Sequence, residues 1–206
     1  MPIIDTPISV VCNTSGNTPY DTLYQENLDN RILVINESIT ASIIENYVLW
    51  ILKWNKEDKD LPIDKRKPIT MYISSEGGSV YDGQILLDCI LESKTPVRAV
   101  GMFVASMAYL IYLACDERYA FKNAVFLMHD GDFSLQNSGS KFKDTVKFFD
   151  EMDERTKTFV ISKTKITEEF YDKIYDQEFW MYASKAKELG VVDKIIGEDC
   201  DIDEVL

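Results

Sequence analysis

The chain has 206 residues, with 35 Asp and Glu against 22 Lys and Arg, for a net charge of −13 near neutral pH. That balance excludes a surface built to bind phosphate, because affinity for nucleic acid comes mostly from clustered lysine and arginine. Hydrophobic residues make up 46%, enough at this length to bury a substantial core, and with no repeat or low-complexity tract the chain reads as one domain over 1–206.

In chain order, the N-terminal segment 1–19 lacks the basic region and long apolar stretch of a secretory signal, which predicts a cytoplasmic protein. A strand is expected at "RILVI" (31–35). A helix begins after Thr40, whose side chain can cap it, and carries Ile43, Tyr47, Ile51 and Trp54 on one face by spacings of four, four and three. The stretch "KDLPIDKRKP" (59–68), with two prolines and mixed charge, reads as a solvated loop. "ITMYIS" (69–74) is the next strand, and a second helix follows Ser79 through "VYDGQILLDCILES". "VRAVGMF" (97–103) is a third strand and "SMAYLIYLAC" a third helix.

The uncharged run 99–115 is 17 residues long, short of the roughly 20 that cross a bilayer, and glycine interrupts it. It reads as buried core, and no membrane partner is expected. "AVFLMH" (124–129) is a fourth strand. Beyond it lies a polar stretch, "DGDFSLQNSGS", and then a helix over about 142–162 with Phe142, Val146, Phe149 and Met152 at helical spacing. That apolar stripe exceeds what a free surface helix needs, so it must meet either the chain's own sheet or another subunit. A short helix starts near Thr167, and "ASKAKELG" ends a helix with Gly190 at the C′ position. The acidic tail 197–206 is expected to fray. Strand, crossover helix, strand in repeated units predicts an α/β fold with a largely parallel sheet. The four cysteines, Cys12, Cys89, Cys115 and Cys200, make no CxxC pair and predict neither a zinc site nor a redox site.

Three features fall at carboxyl ends of predicted strands. Gly77 and Gly78 follow the second strand and can present backbone N–H groups outward. Ser106 follows the third, and the amide of Met107 then stands at a helix N-terminus, where partial positive charge favours an anion. His129, the only histidine in the chain, ends the fourth. Carboxyl ends of parallel strands share one edge of the sheet, where ligand sites form. A hydroxyl needs a base within hydrogen-bond reach to attack a carbonyl near neutral pH, and histidine titrates in that range.

With these residues, "YISSEGGSVYDG", "VASMA", "FLMHDG" and "ASKAKELGVVDKI" occur in order, and over about 20–194 the chain resembles the ClpP family, the proteolytic subunit of the ATP-dependent Clp protease. The resemblance implies a ClpP/crotonase-type fold of repeated β-β-α units, with a protruding handle over about 130–165. It implies a serine endopeptidase with Ser106 as nucleophile, His129 as general base and the amides of Gly78 and Met107 as oxyanion hole. Ungapped matching of "AKELGVVD" sets Glu178 where the family has its catalytic aspartate, and Asp176 is the neighbouring alternative. No metal or organic cofactor is implied. The implied partners are further copies of the chain in paired heptameric rings, an AAA+ unfoldase and unfolded polypeptide substrates. Glu76, Asp130, Phe103 and Val104 depart from the family's usual proline, glutamine and small residues, and mark a divergent branch of phage or prophage type. Two other readings are a ring subunit without catalysis, which Glu178 favours, and an acyl-CoA hydratase or isomerase, which shares the fold but has no need of a serine–histidine pair.

Overall fold

The computed structural model describes residues 19–131 and 138–205. The N-terminal segment as far as residue 18, with Cys12, and residues 132–137 of the polar stretch lie outside the described residues.

Helix α1 (Pro19–Asp29) leads into strand β1 (Ile32–Ile35) through Arg31, which takes the left-handed conformation at φ 61°. A π-helical turn (Ile44–Val48) runs into α2 (Leu49–Glu57), and β2 (Ile69–Ser75), α3 (Val80–Glu92), β3 (Val97–Ala105), α4 (Met107–Ala114) and β4 (Glu117–Met128) follow. Ile43, Tyr47, Ile51 and Trp54 are all buried, as their spacing requires. Thr40 does not cap the helix: its hydroxyl pairs with that of Ser42, and Ile43 carries no side-chain cap. Ser79 does cap α3, accepting from the Asp82 N–H at 3.3 Å.

The sheet runs β1-β2-β3-β4-β5, parallel as far as β4, with β5 (Phe179–Tyr182) antiparallel to β4 and β6 (Lys194–Ile196) parallel to it. β4 begins seven residues before the predicted strand and serves two neighbours in turn. Its first half pairs Glu117–Ala120 with Arg98–Gly101, and after a register shift Val125–Leu127 pair with Phe103–Ala105. β6 takes the free side of the first half at Tyr119–Phe121, and β5 takes the second half at Val125–Met128.

Side chains alternate across each strand, so the sheet has two covered faces. Ile73, Val104 and Phe126 point into the main core with α3 and α4. Val100, Tyr119 and Ile196 point the other way, and there Cys200 and Val205 close over them. The acidic tail is therefore docked as far as Val205, against the expectation of fraying. Val205 is 1% exposed, the Ile195 N–H donates to the Asp199 carboxylate at 2.7 Å, and Lys194 pairs with Glu204 at 2.9 Å. Its charges face water while two apolar residues fill the patch.

Helix α5 (Gly139–Lys163) is the longest element, and of its 25 residues only Val160 is buried. It is followed by α6 (Glu168–Ile174), capped by Thr167, and by α7 (Ala183–Glu188), which ends at Gly190 with φ 74°. Among the described residues no helix is long and apolar enough to cross a membrane.

Candidate active site

Ser106 sits between the last residue of β3 and the first of α4, with φ 54° and ψ −126°. A non-glycine residue at positive φ is strained, and it persists only where its surroundings over-determine it. Here they do. The Ser106 N–H donates to the Leu127 carbonyl at 3.1 Å, which continues the β3–β4 pairing, and the Ser106 carbonyl accepts the Tyr109 N–H at 2.9 Å, which starts the helix. Strand and helix thus hold the one residue between them in a sharp turn that lifts its side chain off the sheet edge.

His129 follows β4 directly. Its Nε2 lies 2.8 Å from the Ser106 Oγ, within hydrogen-bond distance. The register Ala105 with Leu127 explains this meeting, since both residues lie a step or two past a shared rung of a parallel ladder.

The loop after β2 closes the third side. Ser75, 3% exposed, donates its hydroxyl to the Glu37 carbonyl and accepts the Gly77 N–H. Ile39 bridges to this loop by donating to the Gly77 carbonyl at 2.7 Å and accepting from the Ser79 N–H at 2.8 Å. In a parallel bridge of this kind the central residue's own N–H faces the other way, so the Gly78 N–H is turned from Ile39 and takes no acceptor among the described residues. The Met107 N–H, at the start of α4, likewise has none. Gly77 (φ 97°) and Gly78 (φ 146°) are required here, because a Cβ on Gly77 would lie 2.6 Å from the Ser106 Cβ and one on Gly78 would lie 2.4 Å from the Ile39 carbonyl oxygen.

Beside this pair is a cavity of about 60 Å³, walled by α4 on one side and by Met152, Asp153 and Thr156 of α5 on the other, with Tyr171 and Tyr175 of the α6 segment at its end. Burial pushes the Tyr171 phenol up to about 12. Tyr175 is also raised, first by burial and then by the nearby Asp153 carboxylate.

A family model described as Clp protease matches residues 15–199. The chain belongs to the Clp protease family. It is 26% identical over 184 residues to the ATP-dependent Clp protease proteolytic subunit 2 of Treponema pallidum, an alignment covering 87% of this chain and 88% of that protein. To the protein of the same name from Treponema denticola it is 27% identical over 187 residues, covering 89% and 90%. Its fold is similar to a solved ClpP1 point mutant from Listeria monocytogenes, with TM-score 0.72 and 28% identity over 89% of this chain and 99% of that one. The architecture described above is therefore the ClpP fold, in a chain well diverged from these relatives.

Within this Clp protease fold, neither candidate acid is hydrogen-bonded to His129. Glu178 is exposed and its carboxylate accepts the indole N–H of Trp180 at 3.1 Å. Asp176 is exposed as well. The backbone nevertheless distinguishes the two. The antiparallel β4–β5 register ends at Met128 with Phe179, so Glu178 and His129 are the residues next to that last rung, whereas Asp176 lies two residues further along the chain. Trp180 in turn stacks on Phe103, one of the residues that departs from the family pattern, at 6.4 Å between ring centroids and 19° between planes. The Phe103–Trp180 stack thus accounts for where the Glu178 carboxylate is held. Sequence reasoning missed Trp180 in this role, and it missed the α5 and α6 residues that wall the cavity. No local spacing signals either, because both depend on contacts between distant segments.

Proposed function

We propose that this chain is a serine endopeptidase that hydrolyses unfolded polypeptides inside an oligomeric ring chamber. The observation that carries the reading is the 2.8 Å contact between the Ser106 Oγ and the His129 Nε2 at a strained strand-to-helix turn. In this reading the Ser106 hydroxyl donates to His129, attacks the peptide carbonyl and passes its proton through His129 to the leaving amine. The negative charge on the tetrahedral oxygen falls to the Gly78 and Met107 amides, each such donor being worth about 2.7–4 kcal/mol. The chemistry asks for no metal or organic cofactor. Glu178 completes the triad by leaving Trp180 for the imidazole Nδ1, and Asp176 is the alternative.

Reaction with a serine-directed fluorophosphonate tests the proposal. One label per chain on Ser106, located by peptide mass, is expected, and an unlabelled, correctly folded protein would overturn it. That second outcome would favour a ring subunit without catalysis, for which the Glu178–Trp180 contact is the one supporting observation.

Glu178→Gln is expected to lower acylation by about a hundredfold or more, since an amide can stabilise the wrong imidazole tautomer, while Asp176→Asn is expected to be mild. Stopped-flow acylation of the two variants checks this, and the reverse ranking assigns the role to Asp176.

The chamber rests on α5. A helix of 25 residues with one buried side chain leaves Phe142 44% exposed and Phe148 52% exposed, which suits a contact between paired heptameric rings. An AAA+ unfoldase would feed such a chamber in the cytoplasm. Phe149→Asp is expected to halve the mass seen by light scattering without unfolding the subunit, because a carboxylate in an apolar contact costs several kcal/mol at every symmetry-related site. A wild-type monomer at micromolar concentration would sink the chamber itself.

A further inference from the structure

Among the described residues His129 is hydrogen-bonded only through Nε2, to Ser106. The carboxylate that would fix its tautomer in a serine–histidine–acid triad is engaged elsewhere, since Glu178 accepts the indole N–H of Trp180 at 3.1 Å. Residues two apart on a strand share a face, and Trp180 is two residues beyond Glu178. Leu127, the partner of Trp180 in the β4–β5 register, lies two residues before His129. Indole and imidazole therefore belong to the same end of one strand pair.

The indole is held in place from a second direction. Its ring stacks on Phe103 with 6.4 Å between centroids and 19° between planes, inside the range of about 4.5–7 Å over which aromatic pairs attract. Phe103 is fixed in turn by β3, where it pairs with Ser74 of β2 and Val125 of β4. The stack hides little surface, for Trp180 stays 50% exposed and Tyr182, on the same face of β5, 66% exposed. An aromatic pair that served packing alone would have no need of a polar edge. Here that edge is aimed at the acid the triad lacks.

We propose that Trp180, pinned by Phe103, is a positioning residue that holds Glu178 away from His129 and keeps the resting site in a low-activity state. The inference rests on the endopeptidase reading with Glu178 as its acid, and adds a regulation of that site. One carboxylate has two competing partners, and a site competent with only one of them works at a rate scaled by the population of that arrangement. The imidazole is worth most to the carboxylate once it has taken the Ser106 proton and become a cation, so the reaction itself pulls against the latch.

Trp180→Phe separates the latch from the packing, because phenylalanine keeps a ring on Phe103 and has no N–H. Its acylation by a serine-directed fluorophosphonate, followed by stopped flow, is expected to be faster than wild type by about threefold or more, towards the lower end of what one hydrogen bond contributes. The gain is expected to vanish when both proteins also carry Glu178→Gln. A tryptophan that only stabilised the strand would give no gain, or one indifferent to residue 178. The contact is read without catalysis in Ser106→Ala protein labelled with isotope at the indole nitrogens of its three tryptophans. Trp180→Phe identifies the signal of Trp180, and Glu178→Ala is expected to move that signal upfield.

A Trp180→Phe protein that labels at the wild-type rate or below, a gain that survives Glu178→Gln, or an indole signal indifferent to Glu178→Ala each overturns the latch and leaves the endopeptidase reading intact. Wild-type protein that fails to label at all removes that reading instead, and the latch with it.

Discussion

A Ser106→Ala protein will fold and assemble like the wild type and hydrolyse small peptides at less than about 1% of its rate, because the members of such a triad act as a unit and losing the nucleophile alone abolishes nearly all of the acceleration. The substitution removes a single oxygen from a partly exposed residue, so the imidazole it leaves behind can turn to water. Alanine inherits the same strained φ of 54°, and the two backbone hydrogen bonds that hold the turn do not involve the side chain. Stability should therefore change by no more than about 1 kcal/mol, the worth of one hydrogen bond. Peptidase assays beside urea unfolding separate the two quantities. Residual hydrolysis above about 1% in a clean preparation would remove Ser106 from the mechanism, and a large drop in the urea midpoint would mean that the hydroxyl is structural.

The largest expected loss of stability lies elsewhere, at Asp58. Its carboxylate, on a residue 3% exposed, receives both terminal nitrogens of Arg31 and the Thr95 hydroxyl at 3.0 Å. Arg31 also donates to the Lys67 carbonyl at 2.9 Å, so one ion pair ties the start of β1 to the end of α2 and to the approach to β2. Asp58→Ala leaves a guanidinium with its side chain 13% exposed and, among the described residues, only the half-exposed Glu57 carboxylate 3.9 Å away as counter-charge, and breaking a buried pair from one side costs about 3–5 kcal/mol. The hydrogen bond from Arg31 holds the Asp58 carboxyl below the usual carboxylate range, against the opposing effect of burial. A depressed folded-state pKa contributes stability that is fully present above the unfolded value of about 3.9 and is lost as pH falls through the folded value. Wild type and Asp58→Ala should therefore differ most near neutral pH and converge below about pH 4. Urea midpoints from pH 7 down to pH 2 check this, and a constant difference across that range would mean that packing, not charge, is what the substitution removes.

What the sequence made legible follows from how each element is stabilised. Ser106 and His129 were readable because strands buried on both faces appear as continuous apolar runs, and their ends are sharp. β5 and β6 were not: they are four and three residues long, and unlike the equally short β1, whose ILVI is wholly aliphatic and mostly β-branched, FWMY and KII lack a run of that kind. The first half of β4 was hidden for a different reason: "ERYAFKN" carries charges at its outward positions and borders the register shift, so it looks like a loop. Helix α1 buries Leu28 but no continuous stripe, and periodicity found nothing to report. The tail was misread because net charge describes its solvated side and says nothing of Cys200 and Val205 beneath. Ungapped matching carried Glu178 to the residue just before β5, whereas its contact with Trp180 depends on Phe103, distant in sequence and adjacent only after β3, β4 and β5 pair.

Helices α4 and α5 meet across the cavity with opposite degrees of protection. Every residue of α4 except Leu110 is buried, while α5 buries only Val160. Regions with few buried contacts open at lower free energy than the core, so in the unassembled subunit amide hydrogens along α5 should exchange with solvent well before those of α4. The nucleophile thus sits on a well-protected part of the molecule, and the wall facing it gains its protection only when subunits assemble. Warming a dissociated subunit should therefore loosen α5 first, while the strand ends that hold Ser106 and His129 together persist until the whole domain melts.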